Sequence, residues 1–188
     1  MNRYHRWYCS SPRWAKCLEE AVLPWALRDI ELGADALEIG PGPGLTTRLL
    51  KERTAHLTAI EVDERLAAAL PGRLGASNVT VVHGDATAMP FEGGRFSGAV
   101  CLTMLHHVPS AELQDRLLVE AFRVLEPGAM FAGSDSVSSF RFRLAHLFDT
   151  MVLVDPGTFA GRLERAGFVE ARVSARAGGF RFSARKPG

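Results

Sequence analysis

The 188-residue sequence has few cysteines, no long apolar run and almost no net charge, and each shortage excludes a class of protein. Its three cysteines, Cys9, Cys17 and Cys101, are odd in number and lack paired spacing, so they indicate neither a disulfide framework nor a zinc site. No apolar stretch reaches the roughly 20 residues that span a bilayer, and the basic N-terminus lacks the apolar core of a signal peptide. The formal net charge of +1 argues against general electrostatic binding of nucleic acid. We therefore expect a cytoplasmic protein without a transmembrane segment or a DNA partner.

Short apolar runs alternate with segments of helical periodicity along the chain, which predicts an α/β fold. The predicted strands are 36–39, 57–60, 79–83, 96–102 and 129–134, and the predicted helices are 14–30, 46–53, 64–70, 110–125 and 158–166. Strands joined by helices form a parallel sheet, and right-handed crossovers make it doubly wound. Alternating apolar and polar residues in 168–175 and 180–184 predict a closing antiparallel hairpin at one edge.

Three prolines are expected to shape the helices. Pro24 should kink the first helix or restart it, because proline has no N–H to donate within a helix. For the same reason Pro71, followed by glycine, should stop the helix that begins at 64, and Pro127, also followed by glycine, should end the helix that begins at 110.

A glycine-rich turn, LEIGPGPGLTT at 37–47, follows the first predicted strand. It is not a triphosphate loop, because Gly44 is followed by Leu45-Thr46 where such a loop needs lysine and a hydroxyl residue. It is also a poor dinucleotide loop, since Leu45 occupies the place of the third small residue and two prolines remove N–H donors that a pyrophosphate needs. The turn therefore suits a ligand that approaches the backbone closely without a pyrophosphate, or is an ordinary strand-to-helix turn.

Acidic residues lie at the ends of the predicted strands, where a doubly wound sheet binds its ligand. Glu61 follows Gly40 by 21 residues, a position from which a carboxylate can accept hydrogen bonds from ribose hydroxyls. Asp85 could accept a hydrogen bond from an exocyclic amine, or is a turn residue. Glu38 could pair with a ligand ammonium, or is a strand-end residue oriented by the loop.

Five ordered segments, LEIGPGPG, AIEVD, GDATAMPF, FSGAVCLTMLHHV and RVLEPGAMF, together resemble the class I S-adenosylmethionine-dependent methyltransferases, and most of all the small-molecule "type 11" enzymes. The resemblance covers residues 35 to 135. It implies a seven-stranded, mostly parallel sheet whose last two strands form a hairpin. It also implies that S-adenosylmethionine is the cofactor and gives each candidate residue a role. The methionine end would be lined by Glu38, Gly40, Gly42 and Gly44, the ribose held by Glu61, the adenine held by Asp85 and Ala86, and the sulfonium flanked by Leu102 and Thr103.

The resemblance also divides the chain, which we expect to form a single domain over 1–188. Residues 1–32 would be an N-terminal helical segment and a candidate lid, 33–135 the cofactor-binding core, and 136–188 an acceptor-side segment with the closing hairpin. The aromatic residues of the candidate lid are Tyr4, Trp7, Tyr8 and Trp14, which could equally belong to a helix packed on the sheet.

His106 and His107 follow the fourth predicted strand and are the candidate catalytic residues. A histidine there could deprotonate a hydroxyl or an activated carbon acid, because its pKa lies near working pH. Either histidine could instead bind backbone at the strand–helix junction.

The acceptor is predicted to be a small, apolar organic molecule methylated at O, N or C. Nucleic-acid amino methyltransferases carry Asn/Asp-Pro-Pro-Tyr after the fourth strand, whereas this chain has Leu102-Thr103-Met104-Leu105, so RNA is disfavoured even though the C-terminal part is basic. The apolar segment 136–156 suits a hydrophobic acceptor, a homodimer contact or docking at a membrane surface. A catalytically silent module that only binds the cofactor or its product remains the main alternative.

Overall fold

A computed structural model describes residues 11–137 and 151–188 of the chain. Seven strands form one sheet in the order β3-β2-β1-β4-β5-β7-β6. The strands are β1 Asp35–Ile39, β2 His56–Glu61, β3 Val79–His83, β4 Phe96–Leu102, β5 Leu125–Ser136, β6 Val169–Arg176 and β7 Gly179–Arg185. Strands β1 to β5 pair in parallel, and β7 pairs antiparallel with both β5 and β6. The predicted doubly wound sheet with a closing hairpin is therefore confirmed.

Helices connect the parallel strands. Before β1, helix α1 Pro12–Cys17 continues through the π-helical turn Leu18–Val22 into α2 Leu23–Ala26. The other helices are α3 Leu45–Leu50, α4 Glu64–Leu74, α5 Ala111–Val124 and α6 Pro156–Arg165. A short 3-10 turn lies at Leu105–His107. Side chains cap several of them: the Asp63 carboxylate accepts from two N–H groups of α4, and the Ser110 hydroxyl accepts from Leu113 N–H at the start of α5. No helix among the described residues is both long and apolar enough to cross a bilayer.

The prediction that Pro71 stops a helix is wrong. Helix α4 runs past it to Leu74 and ends at Gly75, whose φ is +66°. Pro71 is exposed, so its ring is in contact with solvent. Because proline has no N–H, the helix loses one hydrogen bond there.

The first helix also differs from its prediction, because it begins two residues before Trp14 and ends at Ala26. Pro24 lies in the first turn of α2, directly after the π-helical turn, so the interruption of the helix falls where a proline was expected to cause one. Helix α5 ends at Val124, three residues before Pro127, and Pro127 belongs to the start of β5.

Apolar clusters fill both faces of the sheet. On one face α5 and α6 pack against the strands, with five fully buried phenylalanines at Phe96, Phe131, Phe159, Phe180 and Phe182. On the other face α2 and α3 pack against Ala36, Val100 and Ala132. Because strands β1 and β4 are neighbours whose connections leave in opposite directions, the loops after them separate and leave a crevice at the carboxyl edge.

Candidate active site

A cavity of about 440 Å³ opens at this carboxyl edge, within the size range of small-molecule sites. Its wall is formed by the loops after four parallel strands and by two residues of the N-terminal helical segment. The wall includes most of the predicted site residues, namely Gly40, Gly42, Glu61, Asp85, Ala86, Leu102, Thr103 and His107. Three predicted residues, Glu38, Gly44 and His106, are not part of the wall.

The glycine-rich turn bends sharply between β1 and α3. Gly40, Gly42 and Gly44 all have positive φ, at +70°, +54° and +86°. A Cβ atom at Gly44 would lie 2.2 Å from Leu70 Cδ1, and one at Gly40 would lie 2.9 Å from the side chain of Met104. Gly44 thus lets α4 approach the start of α3, while Gly40 leaves room for the loop after β4.

Glu61 joins this turn to the end of β2. Its carboxylate accepts hydrogen bonds from the N–H of Gly42 at 2.9 Å and from the N–H of Asp63 at 2.9 Å. Glu61 is only 6 % exposed but lines the cavity. Each carboxylate oxygen has a second lone pair, so the side chain retains the capacity to accept hydrogen bonds from a ligand.

Glu38 lies behind the turn and not at the cavity surface. It is 1 % exposed, and one carboxylate oxygen accepts a hydrogen bond from the Thr46 hydroxyl. Burial raises the pKa of Glu38 from 4.5 to about 7, with the Thr46 and Thr47 hydroxyls opposing the rise and Glu61 adding to it. Within the described residues neither Glu38 Oε2 nor the Thr47 hydroxyl has a partner in hydrogen-bond geometry. The hydrogen bond from Thr46 is the contact expected of a strand-end residue oriented by the loop, and the role of Glu38 towards a ligand stays a prediction.

Asp85 begins the loop after β3 and is exposed. One of its carboxylate oxygens accepts from the N–H of Thr87 at 2.8 Å, which stabilises the turn that carries Ala86. Asp85 also lines the cavity, and a carboxylate can accept more than one hydrogen bond, so the turn role and the ligand role are compatible.

Thr103 follows β4 in a strained conformation, with φ at +53°. This region is rarely adopted by a β-branched residue and costs about 1–3 kcal/mol. The backbone is held there because Thr103 N–H donates to Ser134 O at 2.7 Å. Strained backbone conformations cluster at functional sites. Thr103 lines the cavity, so its strain agrees with a functional position.

The two histidines have different surroundings. His106 is 2 % exposed, and Asp135 in β5 binds it twice, accepting from the ring Nδ1 at 2.5 Å and from the backbone N–H at 2.9 Å. His107 lines the cavity, and the two ring centroids lie 4.1 Å apart. The structure thus brings His107 to the predicted site and places His106 behind it.

Three residues that sequence analysis did not identify also shape the site. Asp135 fixes His106, Leu18 lines the cavity beside Trp14, and buried Gln114 binds the carbonyl oxygen of Leu105 at 3.1 Å. A polar residue in the apolar stripe of α5 was a usable signal for Gln114. Burial also raises the pKa of the Cys101 thiol, which lies within β4.

Part of the predicted acceptor region lies outside the described residues. This applies to Tyr4, Trp7 and Tyr8 of the candidate lid, to Cys9, and to the apolar residues of 138–150. Trp14 is described and does line the cavity.

Residues 37–133 match the family described as "Methyltransferase domain". The chain is 27% identical to the ubiquinone/menaquinone biosynthesis C-methyltransferase UbiE of Methylobacterium nodulans, over 88% of this chain and 76% of that protein. It is 30% identical to the ribosomal RNA small subunit methyltransferase A of Aromatoleum aromaticum, over 84% of this chain but only 62% of that enzyme.

Solved structures share the fold at low sequence identity. The DhpI–SAH complex superposes with a TM-score of 0.78 at 20% identity. The superposed region covers 98% of this chain and 94% of the DhpI chain. The structure of Haemonchus contortus phosphoethanolamine N-methyltransferase 2 with S-adenosyl-L-methionine superposes with a TM-score of 0.77 at 14% identity. The superposed region covers 100% of this chain and 61% of that enzyme's chain.

Proposed function

We propose, since the chain belongs to the type 11 class I S-adenosylmethionine-dependent methyltransferases, that it methylates a small, apolar organic molecule at O, N or C. One observation carries the proposal: His107 and Thr103 share a single cavity with Glu61 and Asp85. The residues expected to bind the methyl donor therefore face the same space as a residue that can accept a proton from an acceptor.

The residues present fit the cofactor. Glu61 and Asp85 have acceptor capacity towards the cavity, which suits ribose hydroxyls and an adenine amine, and the positive-φ glycines leave the backbone open to close approach. When bound, S-adenosylmethionine supplies a methyl group on a positively charged sulfur, which a nucleophile can displace directly. What the protein adds is alignment and removal of a proton.

His107 is the proposed base. An acceptor hydroxyl or activated carbon acid in the cavity would transfer its proton to a ring nitrogen of His107. His106 is buried and clamped by Asp135, so we assign it the role of fixing the backbone and ring environment of His107 and not that of a base.

The walls near His107 support an apolar acceptor. Trp14, Leu18, Met104, Val108 and Leu113 all line the cavity, and each presents an apolar side chain. Apolar walls with a few placed polar groups are typical of small-molecule sites.

Two measurements test the proposal. Calorimetry with S-adenosylhomocysteine should detect binding, and labelled methyl from S-adenosylmethionine should enter organic-extractable products when the enzyme is given phenols, quinols and amines. His107→Gln should lose transfer to hydroxyl and carbon acceptors by about 100- to 10,000-fold, the range for a general base, while binding S-adenosylhomocysteine normally. Normal transfer in this variant would remove the base assignment.

A ribosomal RNA substrate is the second candidate, because relatives named as ribosomal RNA methyltransferases align at 30–32% identity over 70–84% of this chain. The same labelled assay with ribosomal RNA separates the two, since label would then appear in RNA and its transfer would weaken with added salt. Binding of S-adenosylhomocysteine with no label in any acceptor would instead identify a catalytically silent module.

A further inference from the structure

Gln114 is a polar residue in the buried face of α5. Its neighbours on that face are Leu117, Leu118, Ala121 and Val124, and Gln114 itself is 1 % exposed. A buried amide costs free energy unless it is hydrogen-bonded, so its partners indicate why glutamine and not leucine occupies the position.

The amide of Gln114 connects the histidine turn to the segment that precedes α6. Its Nε2 donates to the carbonyl oxygen of Leu105 at 3.1 Å and to that of Val152 at 2.8 Å. The N–H of Val152 in turn donates to the carbonyl oxygen of His106 at 2.8 Å. The turn 105–107 is therefore tied to Val152 both directly and through Gln114.

Arg162 fixes the orientation of this amide. Its Nη1 donates to Gln114 Oε1 at 3.0 Å, which leaves Nε2 to face the two carbonyl groups. The guanidinium is itself held by the Asp115 carboxylate at 2.6 Å and by the Ala111 carbonyl oxygen at 3.0 Å. A planar guanidinium with several fixed partners is a rigid support for the amide.

We propose that Gln114 is a positioning residue for methyl transfer. It holds the histidine turn against the chain around Val152, so that His107 stays in the cavity wall beside Thr103. This inference rests on the proposed function, because it gives Gln114 its role through His107. If Gln114 only filled the core, its loss would lower stability without altering the environment of either histidine.

Two variants separate these roles. Gln114→Met keeps the length of the side chain and removes its hydrogen bonds, while Gln114→Glu keeps acceptors for Arg162 but has no donors for the two carbonyl groups. The second variant gains an ion pair with Arg162 that supports folding if the first fails to fold. Arg116→Gln is the matched control, since Arg116 is an exposed residue of α5 and its replacement leaves Gln114, Arg162 and Asp115 in place.

Histidine ring signals provide a readout that needs no acceptor. The sequence has six histidines, so the ring resonances of 15N-histidine-labelled protein can be assigned with single His→Gln variants. We expect both Gln114 variants to shift the His106 and His107 ring resonances, and Arg116→Gln to leave them in place. Affinity for S-adenosylhomocysteine should stay unchanged, and turnover with any acceptor found should fall up to about 100-fold, the effect of a displacement of about 1 Å.

The positioning role would be overturned if folded Gln114 variants had unchanged histidine ring resonances and only a lower unfolding midpoint. Failure of the wild-type protein to bind S-adenosylhomocysteine would instead overturn the proposed function. The two results are independent, because the first is read without cofactor.

Discussion

Replacing Glu38 with glutamine should make the protein more stable above neutral pH. The buried carboxylate accepts a hydrogen bond from Thr46, and glutamine can accept the same bond while its amide group faces the Thr47 hydroxyl. The substitution thus keeps size and hydrogen-bonding capacity and removes the ionisation.

The magnitude follows from the raised pKa. Burial raises the pKa of Glu38 from 4.5 to about 7, and each pKa unit corresponds to about 1.4 kcal/mol, which gives about 3 kcal/mol. The folded state holds the proton more tightly than the unfolded state, so the contribution of Glu38 to stability is complete below pH 4.5 and is lost as the pH rises through 7. Glutamine does not titrate. The advantage of Glu38→Gln should therefore be small near pH 4.5 and grow to about 3 kcal/mol above pH 7.

Urea unfolding at several pH values between 5 and 8 measures this difference. Glu52→Gln is the control, because Glu52 is a largely exposed glutamate whose replacement should leave the pH dependence unchanged. A difference between Glu38→Gln and wild type that stays constant with pH would refute the reasoning, since it would mean that Glu38 does not ionise differently in the folded protein.

Three further substitutions test other parts of the structure. Glu61→Ala should weaken S-adenosylhomocysteine binding in calorimetry by about 1–3 kcal/mol, from lost hydrogen bonds to a charged group, and unchanged affinity in a folded variant would exclude the ribose role. Thr103→Gly should relieve strain of about 1–3 kcal/mol, so it should not lower the urea midpoint, yet it should reduce methyl transfer. Thr103→Ser should keep methyl transfer. A fully active glycine variant would show that the side chain is dispensable. Gly133→Ala should lower the free energy of unfolding measured in urea by about 1–3 kcal/mol or more, because its Cβ would lie 2.0 Å from the Cys101 carbonyl oxygen. A wild-type free energy of unfolding would contradict the close approach of β4 and β5.

The fold was predictable because its signals are local. Apolar runs of strand length, helical periodicity and the alternation of apolar and polar residues in 168–175 and 180–184 each involve only neighbouring residues, and together they predict the sheet and its closing hairpin. Pro71 misled the prediction because its effect depends on surroundings that sequence does not show: at an exposed position the helix tolerates the loss of one hydrogen bond.

The meeting of several residues proposed to bind the methyl donor was predictable for a related reason. Parallel strands end at one edge, so Glu61, Asp85 and Thr103 had to meet there once the strands were assigned. The sequence did not predict the hydrogen bond between Glu38 and the Thr46 hydroxyl, because it depends on how the glycine-rich turn folds back on β1.

The contacts around the histidines could not be read from sequence, because they join residues far apart in the chain. Asp135 is 29 residues from His106, and Gln114 is 38 residues from Val152. No local pattern marks such pairs. Each becomes recognisable only when β5 and the chain before α6 lie beside the histidine turn.

This difference separates the two halves of the site. The residues proposed for the methyl donor lie in turns within 37–133, the range that the chain shares with its family. The proposed acceptor side also uses residues outside that range: Trp14 and Leu18 line the cavity, and Asp135 and Val152 hold the histidine turn. Relatives that align with this chain are named as a ubiquinone/menaquinone biosynthesis C-methyltransferase and as ribosomal RNA methyltransferases. Under the proposed function, an acceptor side built from long-range contacts can differ between such proteins without altering the turns proposed to bind the methyl donor.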